Sequence, residues 1–385
     1  MVLTGCRPAD LWRNSIMKAM ILAAGLGERM RPLTEMRAKP SLPLLNRPII
    51  AQTLTYLKAH GVEEAVINLH WQPESIRGVI GNGQRLGVKV YYSEEQVILG
   101  TAGGLKKAEA HFQGGGTFIL INGDFVTDCD LGGVIAEHRK SGAVASMVLT
   151  PHRPGTDYGS VEVDPATGHV VSIAGHGRKA GPRVTETDSY TFTGIHILEP
   201  TILELIPPGV KYEINREVYP VLMQSGGLIN GYVHRGVWYE MGTPRLYLEG
   251  NLALLAAGTD PAIQPMKKSD GVFLENVSVP ASTTAAAPYF IGRGTAMGEH
   301  CSMQGGVIIG RQTRVGSGCA LRSSMIWDGA RLGDKVQLTD SIVTSGVFVP
   351  PGSSLSGRIL FRVDGYQGKK DHLERVGSAW AARIV

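Results

Sequence analysis

A six-residue repeat between residues 291 and 343 restricts the folds open to this chain. The segment divides into nine consecutive groups of six, one of which lacks a residue, and each group opens with an apolar or aromatic side chain. Glycine follows directly in several groups. A period of six suits neither an α-helix nor an ordinary strand, but it fits a parallel β-helix whose coils have three short faces. We therefore expect about three coils, stacked at the spacing of neighbouring strands.

Two cysteines follow the same repeat. Cys301 and Cys319 both occupy the fifth place of their group, so we expect them to stack as small packing residues. The four cysteines of the chain form no CxxC pair and no Cys/His array, which indicates neither a disulfide framework nor a zinc site. This cysteine usage favours a reducing cytoplasm.

The sequence upstream of the repeat alternates short apolar runs with longer amphipathic segments. This alternation predicts parallel strands joined by crossover helices, and hence a doubly wound, Rossmann-like α/β domain. From about residue 156 to 240, closely spaced strands predict an added antiparallel or mixed region. The predicted divisions are an extension over 1–16, the α/β domain over 17–255, a linker over 256–285, a left-handed β-helix over 286–357 and a tail over 358–385.

Composition and charge exclude several classes of protein. Hydrophobic residues make up 43% of the chain and charged residues 19%, which is too apolar for a disordered protein. The net charge of +4 comes without any long basic run, so neither nucleic acid nor a membrane is an expected partner. Residues 1–16 lack the apolar core of a signal peptide, and no apolar run predicts a membrane span. We expect a cytoplasmic protein.

The stretch AMILAAGLGERMRPLTEMRAKP, residues 19–40, places basic side chains directly after a glycine turn. It is not a dinucleotide fingerprint, because Met30 stands where a third glycine is needed. It is not a P-loop either, because Glu28 stands where a lysine is needed. Glycines let the backbone approach a phosphate closely, and Arg29 and Lys39 would then neutralise its charge. Charge alone fits equally well a strand turn followed by a solvated basic loop.

This stretch resembles the start of the sugar-1-phosphate nucleotidyltransferases, the nucleotide-sugar pyrophosphorylases, with their G-x-G-x-R…K-P signature. The likeness continues in INGDFVTDCDL, TGIHILEP and WYEMGTPRLYLEGN, and so covers roughly residues 17–255. The repeats resemble the left-handed β-helix that many of these enzymes carry. The resemblance implies that a sugar 1-phosphate attacks the α-phosphorus of a nucleoside triphosphate and that pyrophosphate leaves.

The resemblance also implies which residues handle the triphosphate and its metal. Gly25, Gly27 and Arg29 match the loop that wraps the triphosphate, and Lys39 matches the lysine that contacts phosphate. Asp124 and Glu240 match the two carboxylates that hold Mg²⁺, although Glu240 stands where the family usually has aspartate. A metal role for Asp124 competes with an ordinary turn or helix-cap role.

Two further segments match the base and sugar sites of the family. The nucleobase loop contains Glu95, Gly100 and Thr101, and a carboxylate at Glu95 suits the two N–H donors of guanine. The open alternative is that Glu94 and Glu95 are solvated acids. Tyr158, Gly159 and Thr193 match positions that line the sugar pocket. The usual E-K-P motif is replaced by AGHGRKAGPR, in which either Lys179 or Arg183 could substitute.

The expected activity is nucleotidyl transfer from GTP to mannose 1-phosphate or a related hexose or heptose 1-phosphate. A uridylyltransferase acting on the 1-phosphate of glucose, an amino sugar or N-acetylmuramate is the first alternative. A non-catalytic, nucleotide-sensing subunit of the same fold is the second. An acyltransferase activity of the β-helix is weaker, because His300 is the only candidate base. We expect homo-oligomers formed through the β-helix.

Overall fold

The computed structural model describes residues 16–152, 159–177, 186–258, 264–362 and 372–385. The chain divides into two compact units, each built from two separate stretches of sequence. The first unit comprises Met1–Gly25 with Thr53–Tyr239, and the second comprises Leu26–Gln52 with Glu240–Val385. The expected boundary near residue 255 therefore differs from the observed division, because residues 26–52 belong to the unit that contains the repeats.

The first unit is built on a mixed β-sheet. Its main strands, in chain order, are β1 (Met17–Leu22), β2 (Val62–Leu69), β3 (Lys89–Glu94), β4 (Phe118–Asn122), β5 (Ala145–Pro151), β6 (Ser160–Val163), β7 (Val170–Ile173), β8 (Asp188–Leu198) and β9 (Ile229–Val233). The hydrogen-bonded order is β7-β6-β8-β4-β1-β2-β3, with β5 beside β8 and β9 beside β5. His176–Gly177 adds a short strand outside β7.

The parallel half of this sheet contains a reversal of strand order. From β1 the sheet runs through β2 to β3 on one side, whereas β4 pairs with β1 on the other side, and all of these pairs are parallel. In such a sheet the crevice at the carboxyl ends of the strands that flank the reversal is the usual ligand site. The expected doubly wound α/β architecture is confirmed, and it directs attention to the ends of β1 and β4.

The chain connects these strands mainly through helices. The α-helices of more than four residues are α1 (Ile49–Ala59), α2 (Pro73–Ile80), α3 (Gly100–Lys107), α4 (Leu131–Ser141), α5 (Tyr219–Gln224) and α6 (Pro244–Ala257). Local signals define their ends. The Asp130 side chain accepts a hydrogen bond from the Gly132 N–H at the start of α4, and Gly142 ends that helix in the left-handed conformation. Thr243 caps α6 in the same way.

The closely spaced strands from about 156 to 240 form the antiparallel addition that the sequence predicts. Strand β8 runs antiparallel to β4, β5 and β6, while β9 runs parallel to β5. The first unit closes around a core that includes Phe112 and Phe118, whose rings stack with centroids 4.5 Å apart. The antiparallel pairing of Ile195 with Ile121 places Gly194, inside β8, beside the end of β4.

The second unit contains a stack of short strands, parallel except for the first, which we call the coil region (residues 267–361). Its strands are Lys267–Ser269, Val272–Leu274, Thr284–Ala285, Tyr289–Ile291, Ala296–Met297, Ser302–Ile309, Arg314–Val315, Ala320–Ile326, Arg331–Leu332, Gln337–Thr339, Ile342–Val343, Phe348–Val349, Ser354–Ser356 and Arg358–Phe361. On one face Ala296 pairs with Arg314, Arg314 with Arg331, and Arg331 with Phe348. These offsets of 18, 17 and 17 residues are one coil each, as the repeat predicts.

The side chains that open most repeats fill the interior of the coil region, and Cys301 and Cys319 lie in the same buried cluster. Because Ser302 pairs with Ala320, the preceding cysteines stack on one another as expected. One position differs from the pattern. The repeat that lacks a residue opens with Trp327, yet Ile326 is the residue paired with Ile309 inside the coils. Trp327 therefore takes the next place along the chain, where the preceding coil has glycine.

The coil region extends beyond its expected limits at both ends. Val272–Leu274 lies within the expected linker, yet it pairs with Tyr289–Ile291 as part of the stack. Arg358–Phe361 lies within the expected tail, yet it pairs with Ile342–Val343. Two antiparallel strands, Glu374–Val376 and Ala379–Arg383, then close this sheet edge. These strands could not be predicted from the sequence because they lack the glycine-containing repeat.

Over the described ranges, neither unit contains a helix with the length and apolar character needed to cross a bilayer.

Candidate active site

In the first unit, the chain leaves β1 through a turn that the neighbouring strand supports. The Ala23 N–H donates to the Asn68 side-chain oxygen at 2.7 Å, and the Gly123 N–H donates to the Leu22 carbonyl at 3.0 Å. A Cβ on Gly25 would meet no atom within 4 Å. The space beside the Gly25 backbone that a side chain would occupy is therefore open. A loop that binds phosphate through its backbone needs such open space.

Asp124 lies two residues beyond β4, at the same sheet edge as the turn after β1. The position follows from the parallel pairing of Leu22 with Asn122, which aligns the carboxyl ends of the two strands. The Asp124 side chain is half-buried. Both Gly25 and Asp124 are thus on loops at the point where the strand order reverses, which is where open α/β sheets bind ligands.

Across the same edge, β8 contributes Gly194 and Thr193. Gly194 has φ of 94°, and a Cβ there would lie 2.8 Å from the Asn122 amide nitrogen, so only glycine fits. The expected role of Thr193 in lining the sugar pocket stays a prediction. The hydroxyl donates to the Val148 carbonyl at 2.8 Å, and the Thr193 carbonyl accepts a hydrogen bond from the Trp238 indole at 2.9 Å. Thr193 is buried in the sheet, and its backbone supports the edge.

The other expected sugar-pocket residues give limited information. Gly159 packs against the segment after β7, since a Cβ on it would lie 2.8 Å from the Ala174 Cβ. Tyr158 lies outside the described residues, as do Lys179 and Arg183. Their expected roles stay predictions.

Glu95 has different partners from those expected of a residue that reads guanine. Its side chain is 2% exposed. One carboxylate oxygen accepts a hydrogen bond from the Asn68 amide at 2.7 Å, and the other accepts one from the Leu99 N–H at 2.9 Å. In the structure Glu95 therefore links the end of β2 to the start of α3. Its expected role in reading the base stays a prediction.

The same loop is fixed on its other side by Glu213. The Glu213 carboxylate accepts hydrogen bonds from the Thr101 hydroxyl at 2.8 Å and from the Thr101 N–H at 3.2 Å. A Cβ on Gly100 would lie 2.6 Å from the Tyr212 carbonyl, so the backbone passes close to this segment. Gly100 and Thr101 therefore form a rigid helix start, and the Thr101 hydroxyl faces Glu213.

In the second unit, the rest of the signature loop folds around Gly27. This residue has φ of 63°, and its carbonyl accepts hydrogen bonds from the Met30 N–H at 2.9 Å and the Thr34 hydroxyl at 2.8 Å. A Cβ on Gly27 would lie 2.8 Å from the Thr34 methyl group. Gly27 thus serves a left-handed turn with close side-chain packing, and this turn sets the direction of the chain that carries Arg29.

Arg29 and Lys39 differ in environment. The Arg29 side chain is 67% exposed, and its guanidinium lies 3.6 Å from the nearer Glu240 oxygen. Lys39 is 8% exposed and opens a 3-10 turn, Lys39–Ser41, in which the Leu42 N–H donates to the Lys39 carbonyl at 3.1 Å. Arg29 is therefore accessible to a ligand with little rearrangement, whereas Lys39 is held by the fold.

Glu240 is placed by its own short sequence. A Cβ on Gly242 would lie 2.9 Å from a Glu240 carboxylate oxygen, so the glycine of WYEMGT makes room for this side chain. The Glu240 side chain is 15% exposed and faces Arg29. The longer arm of glutamate reaches the guanidinium, which neutralises part of its charge.

Asp124 and Glu240 each provide carboxylate oxygens, the donors that Mg²⁺ prefers. Among the described residues, no group of three or more His, Cys, Asp or Glu side chains could hold a metal ion. A single carboxylate in either unit fits Mg²⁺, because that ion is usually held by one or two carboxylates together with substrate phosphates and water. Neither residue by itself provides the ligands of a structural zinc or calcium site.

The sequence analysis missed Asn68, Glu213 and Trp238, which organise the loops at this sheet edge. Asn68 carries the one usable signal, since it interrupts the apolar run AVINLH of a buried strand. A polar residue at such a position must find hydrogen-bond partners. Nothing in the spacing of Glu213 or Trp238 indicates their partners, which lie 112 and 45 residues away.

Several known proteins are similar to this chain. A UTP–glucose-1-phosphate uridylyltransferase from Synechocystis is 30% identical over 85% of this chain and 87% of its own length. Mannose-1-phosphate guanylyltransferase 1 from Arabidopsis thaliana is 30% identical over 89% of this chain and 98% of its own length. The crystal structure of HddC from Yersinia pseudotuberculosis matches 61% of this chain and 98% of its own with a TM-score of 0.52 at 23% identity, and so shares the fold.

The family model described as nucleotidyl transferase matches residues 18–257, a range that contains Gly25, Arg29, Lys39, Asp124 and Glu240. From this match and from the two relatives that align over most of its length, the chain belongs to the nucleotidyl transferase family.

Proposed function

We propose that this protein transfers a nucleotidyl group from a nucleoside triphosphate to a sugar 1-phosphate, giving a nucleoside diphosphate sugar and pyrophosphate. A phosphate oxygen of the sugar 1-phosphate bonds to the α-phosphorus, and the bond from that phosphorus to the bridging oxygen of the β-phosphate breaks. The observation that carries the proposal is a glycine turn followed by Arg29 and Lys39 in a chain of this family. Relatives that align over most of this chain carry the names of such enzymes.

The basic side chains have complementary properties for this reaction. Phosphoryl transfer needs little covalent help from the protein and depends on positioning and on neutralising charge. The exposed guanidinium of Arg29 can donate two parallel hydrogen bonds to phosphate oxygens, while the ammonium of Lys39 acts as a point charge. Because Lys39 is 8% exposed and its backbone is held in a turn, we expect its charge to need little reorganisation when the substrate binds.

A divalent metal ion is general in this family, and we propose that Mg²⁺ is the ion used here. Asp124, at the end of β4, would hold it, and Glu240 is the second candidate ligand. When bound, the ion supplies charge neutralisation on the phosphates. Glu240 has a further role on the protein side, because its carboxylate faces Arg29 and restricts the orientation of that guanidinium.

We propose GTP as the nucleotide and mannose 1-phosphate, or a related hexose or heptose 1-phosphate, as the acceptor. Support comes from the Arabidopsis relative, which aligns with this chain over 98% of its own length and is named for that reaction. UTP with glucose 1-phosphate is the second candidate, because the Synechocystis relative is equally similar in sequence. Because the Glu95 carboxylate is buried and accepts hydrogen bonds from the chain's own donors, the choice of GTP rests here on the relative and not on this residue.

The direct test is an activity screen. Four nucleoside triphosphates are combined with a panel of sugar 1-phosphates and Mg²⁺, and pyrophosphate release is measured together with mass spectrometry of the product. We expect one pair to dominate. Absence of pyrophosphate with every pair would contradict the proposal and favour a non-catalytic nucleotide-sensing subunit.

Variants of the basic residues make the test specific. Replacing Arg29 by Ala removes one charged donor, and removal of such a donor typically costs on the order of 100-fold in rate. Arg245→Ala is the matched control, since this arginine is 61% exposed and lies 3.9 Å from Glu249 on α6. We expect the control to keep wild-type activity within about twofold. If Arg29→Ala is as active as the control Arg245→Ala, the role assigned to Arg29 is contradicted.

Three expectations remain proposals of the same kind. The coil region is proposed to be a left-handed β-helix, to mediate self-association, and to belong to a cytoplasmic enzyme. Short repeat stacks expose their ends and faces, which a second copy can cover. Analytical ultracentrifugation of the full chain and of a Phe348→Asp variant tests the association, because Phe348 is 45% exposed on the coil face.

A further inference from the structure

The segment that carries Arg29 and Lys39 is attached to the coil region and to α6, all within the second unit. The Asn46 amide donates to the Ile309 carbonyl of a coil strand at 2.9 Å. The Leu45 N–H donates to the Asn251 side-chain oxygen of α6 at 3.0 Å, and the Tyr247 hydroxyl of α6 donates to the Pro43 carbonyl. These contacts join the segment just after Lys39 to α6 and to a coil strand.

A second attachment lies just before Lys39. The Arg37 guanidinium lies over the Trp327 ring, 5.3 Å from its centroid. Trp327 is 1% exposed, and the Tyr247 ring meets it edge-on with centroids 6.4 Å apart. A desolvated cation over an indole face is among the stronger contacts of this type. The two attachments therefore hold the turn at Lys39 from both sides.

Trp327 stands out within the repeat itself. Its position along the coil corresponds to Gly310 in the coil before, because Ile326 pairs with Ile309. Neighbouring residues of a strand point to opposite faces, so Trp327 points away from the side that Ile326 fills inside the coils. Packing inside the coils does not require an indole at this position. Its contacts to Arg37 and Tyr247 supply the reason for its size.

We propose that Trp327 is a positioning residue for nucleotidyl transfer, which acts through Arg37 to orient Lys39. Arg37 is in an extended conformation directly before the turn, in which the Ser41 hydroxyl and N–H both donate to the Ala38 carbonyl, at 2.8 and 2.9 Å. Fixing the Arg37 side chain therefore fixes the entry to the turn that carries Lys39. The coil region is then a working part of the active site. This inference rests on the proposed function.

The test compares three variants of the full-length chain. Trp327→Ala removes the ring, and Trp327→Phe keeps an aromatic face under Arg37. Leu338→Ala is the control, because Leu338 is also 1% exposed but lies in the coil interior. We expect Trp327→Ala to lower kcat at least tenfold with KM for the sugar 1-phosphate changed less than about threefold, since a displacement near 1 Å can cost 100-fold. Trp327→Phe should recover kcat to within about threefold of wild type.

A second measurement reports on the loop directly. Hydrogen–deuterium exchange of peptides covering residues 38–42 should be faster in Trp327→Ala than in wild type and unchanged in Leu338→Ala. Arg37→Ala should reproduce both effects, and the Trp327→Ala/Arg37→Ala double variant should be no worse than either single variant, because the two side chains act through one contact.

The outcomes separate this inference from the proposed function. A wild-type protein without activity contradicts the proposed function. In that case the exchange of residues 38–42 in Trp327→Ala still tests whether Trp327 positions this loop. An active wild type whose Trp327→Ala variant keeps kcat, or loses no more than Leu338→Ala, overturns the inference and leaves the proposed function standing. If Trp327→Ala does not fold, Arg37→Ala carries the same test, and unchanged kcat and exchange in that variant overturn the inference.

Discussion

Replacing Glu95 by Gln tests whether this residue holds the chain together or reads a base. The carboxylate accepts hydrogen bonds from two donors, the Asn68 amide and the Leu99 N–H, at 2.7 and 2.9 Å. Glutamine can accept from only one of them with its oxygen, so its NH₂ group must face the other donor. Rotating the Asn68 amide does not help, because the Asn68 oxygen already accepts from the Ala23 N–H.

The magnitude follows from these contacts. A hydrogen bond to a charged group contributes about 1.5–3 kcal/mol, and a buried donor left without an acceptor costs about 1–3 kcal/mol. The lost hydrogen bond and the unsatisfied donor belong to the same site, so their costs are not fully additive. We expect the free energy of unfolding of Glu95→Gln to fall by about 2–4 kcal/mol. The loop before α3 would loosen, and KM for the nucleotide should rise.

The assay is urea unfolding at neutral pH, followed by fluorescence and circular dichroism, together with kinetics for GTP and UTP. Glu94→Gln is the matched control, because this neighbouring carboxylate is 57% exposed and pairs with Arg77 at the surface. Exposed ion pairs contribute about 0–1 kcal/mol, so the control should change stability by less than about 1 kcal/mol. Glu95→Gln with wild-type stability and a preference moved from GTP toward UTP would refute this reasoning and restore the base-reading role.

Three further predictions concern other sites. Gly194→Ala should lower the free energy of unfolding in urea by at least about 2 kcal/mol, because φ of 94° is strained for alanine and the new Cβ would meet Asn122. The control is Gly114→Ala, at a left-handed turn with open space, which should lower it by only about 1 kcal/mol. Burial lowers the pKa of His196 to about 3, whereas the unfolded chain binds this proton below about 6.5. The contribution of His196 to the free energy of unfolding is fully present above pH 6.5 and decreases as the pH falls, by about 2 kcal/mol at pH 5. The free energy of unfolding of His196→Gln should therefore depend less on pH than that of the wild type. Thr243→Ala should cost about 1 kcal/mol in thermal or urea unfolding by removing the cap of α6, and unchanged stability would contradict the capping role.

Sequence reasoning located the features that depend on backbone shape and on local pattern. The glycine turn after β1 and the acid after β4 were both identified, because apolar runs followed by glycine or aspartate mark the ends of parallel strands. The alternation of strands and helices predicted the sheet, and the six-residue period predicted the coils. Each of these features repeats or is local, so it can be read without knowledge of contacts.

Sequence reasoning was less accurate where a side chain's role depends on distant partners. Glu95 was expected to face a base, yet Asn68, 27 residues earlier, and the Leu99 N–H occupy its oxygens. Thr193 was expected to face a sugar, yet its hydroxyl donates to a carbonyl 45 residues away. Both residues are polar and buried, and sequence alone does not show on which side of the backbone their partners lie.

The sequence by itself determined the sheet, the coils and the glycine turn with its basic residues, because periodicity and backbone conformational freedom are properties of neighbouring residues. Only the tertiary structure decided that residues 26–52 belong with the coil region and that Trp327 lies under Arg37. The physical reason is that such contacts join residues hundreds of positions apart. Their formation depends on complementary shape and charge after folding, which no local pattern encodes.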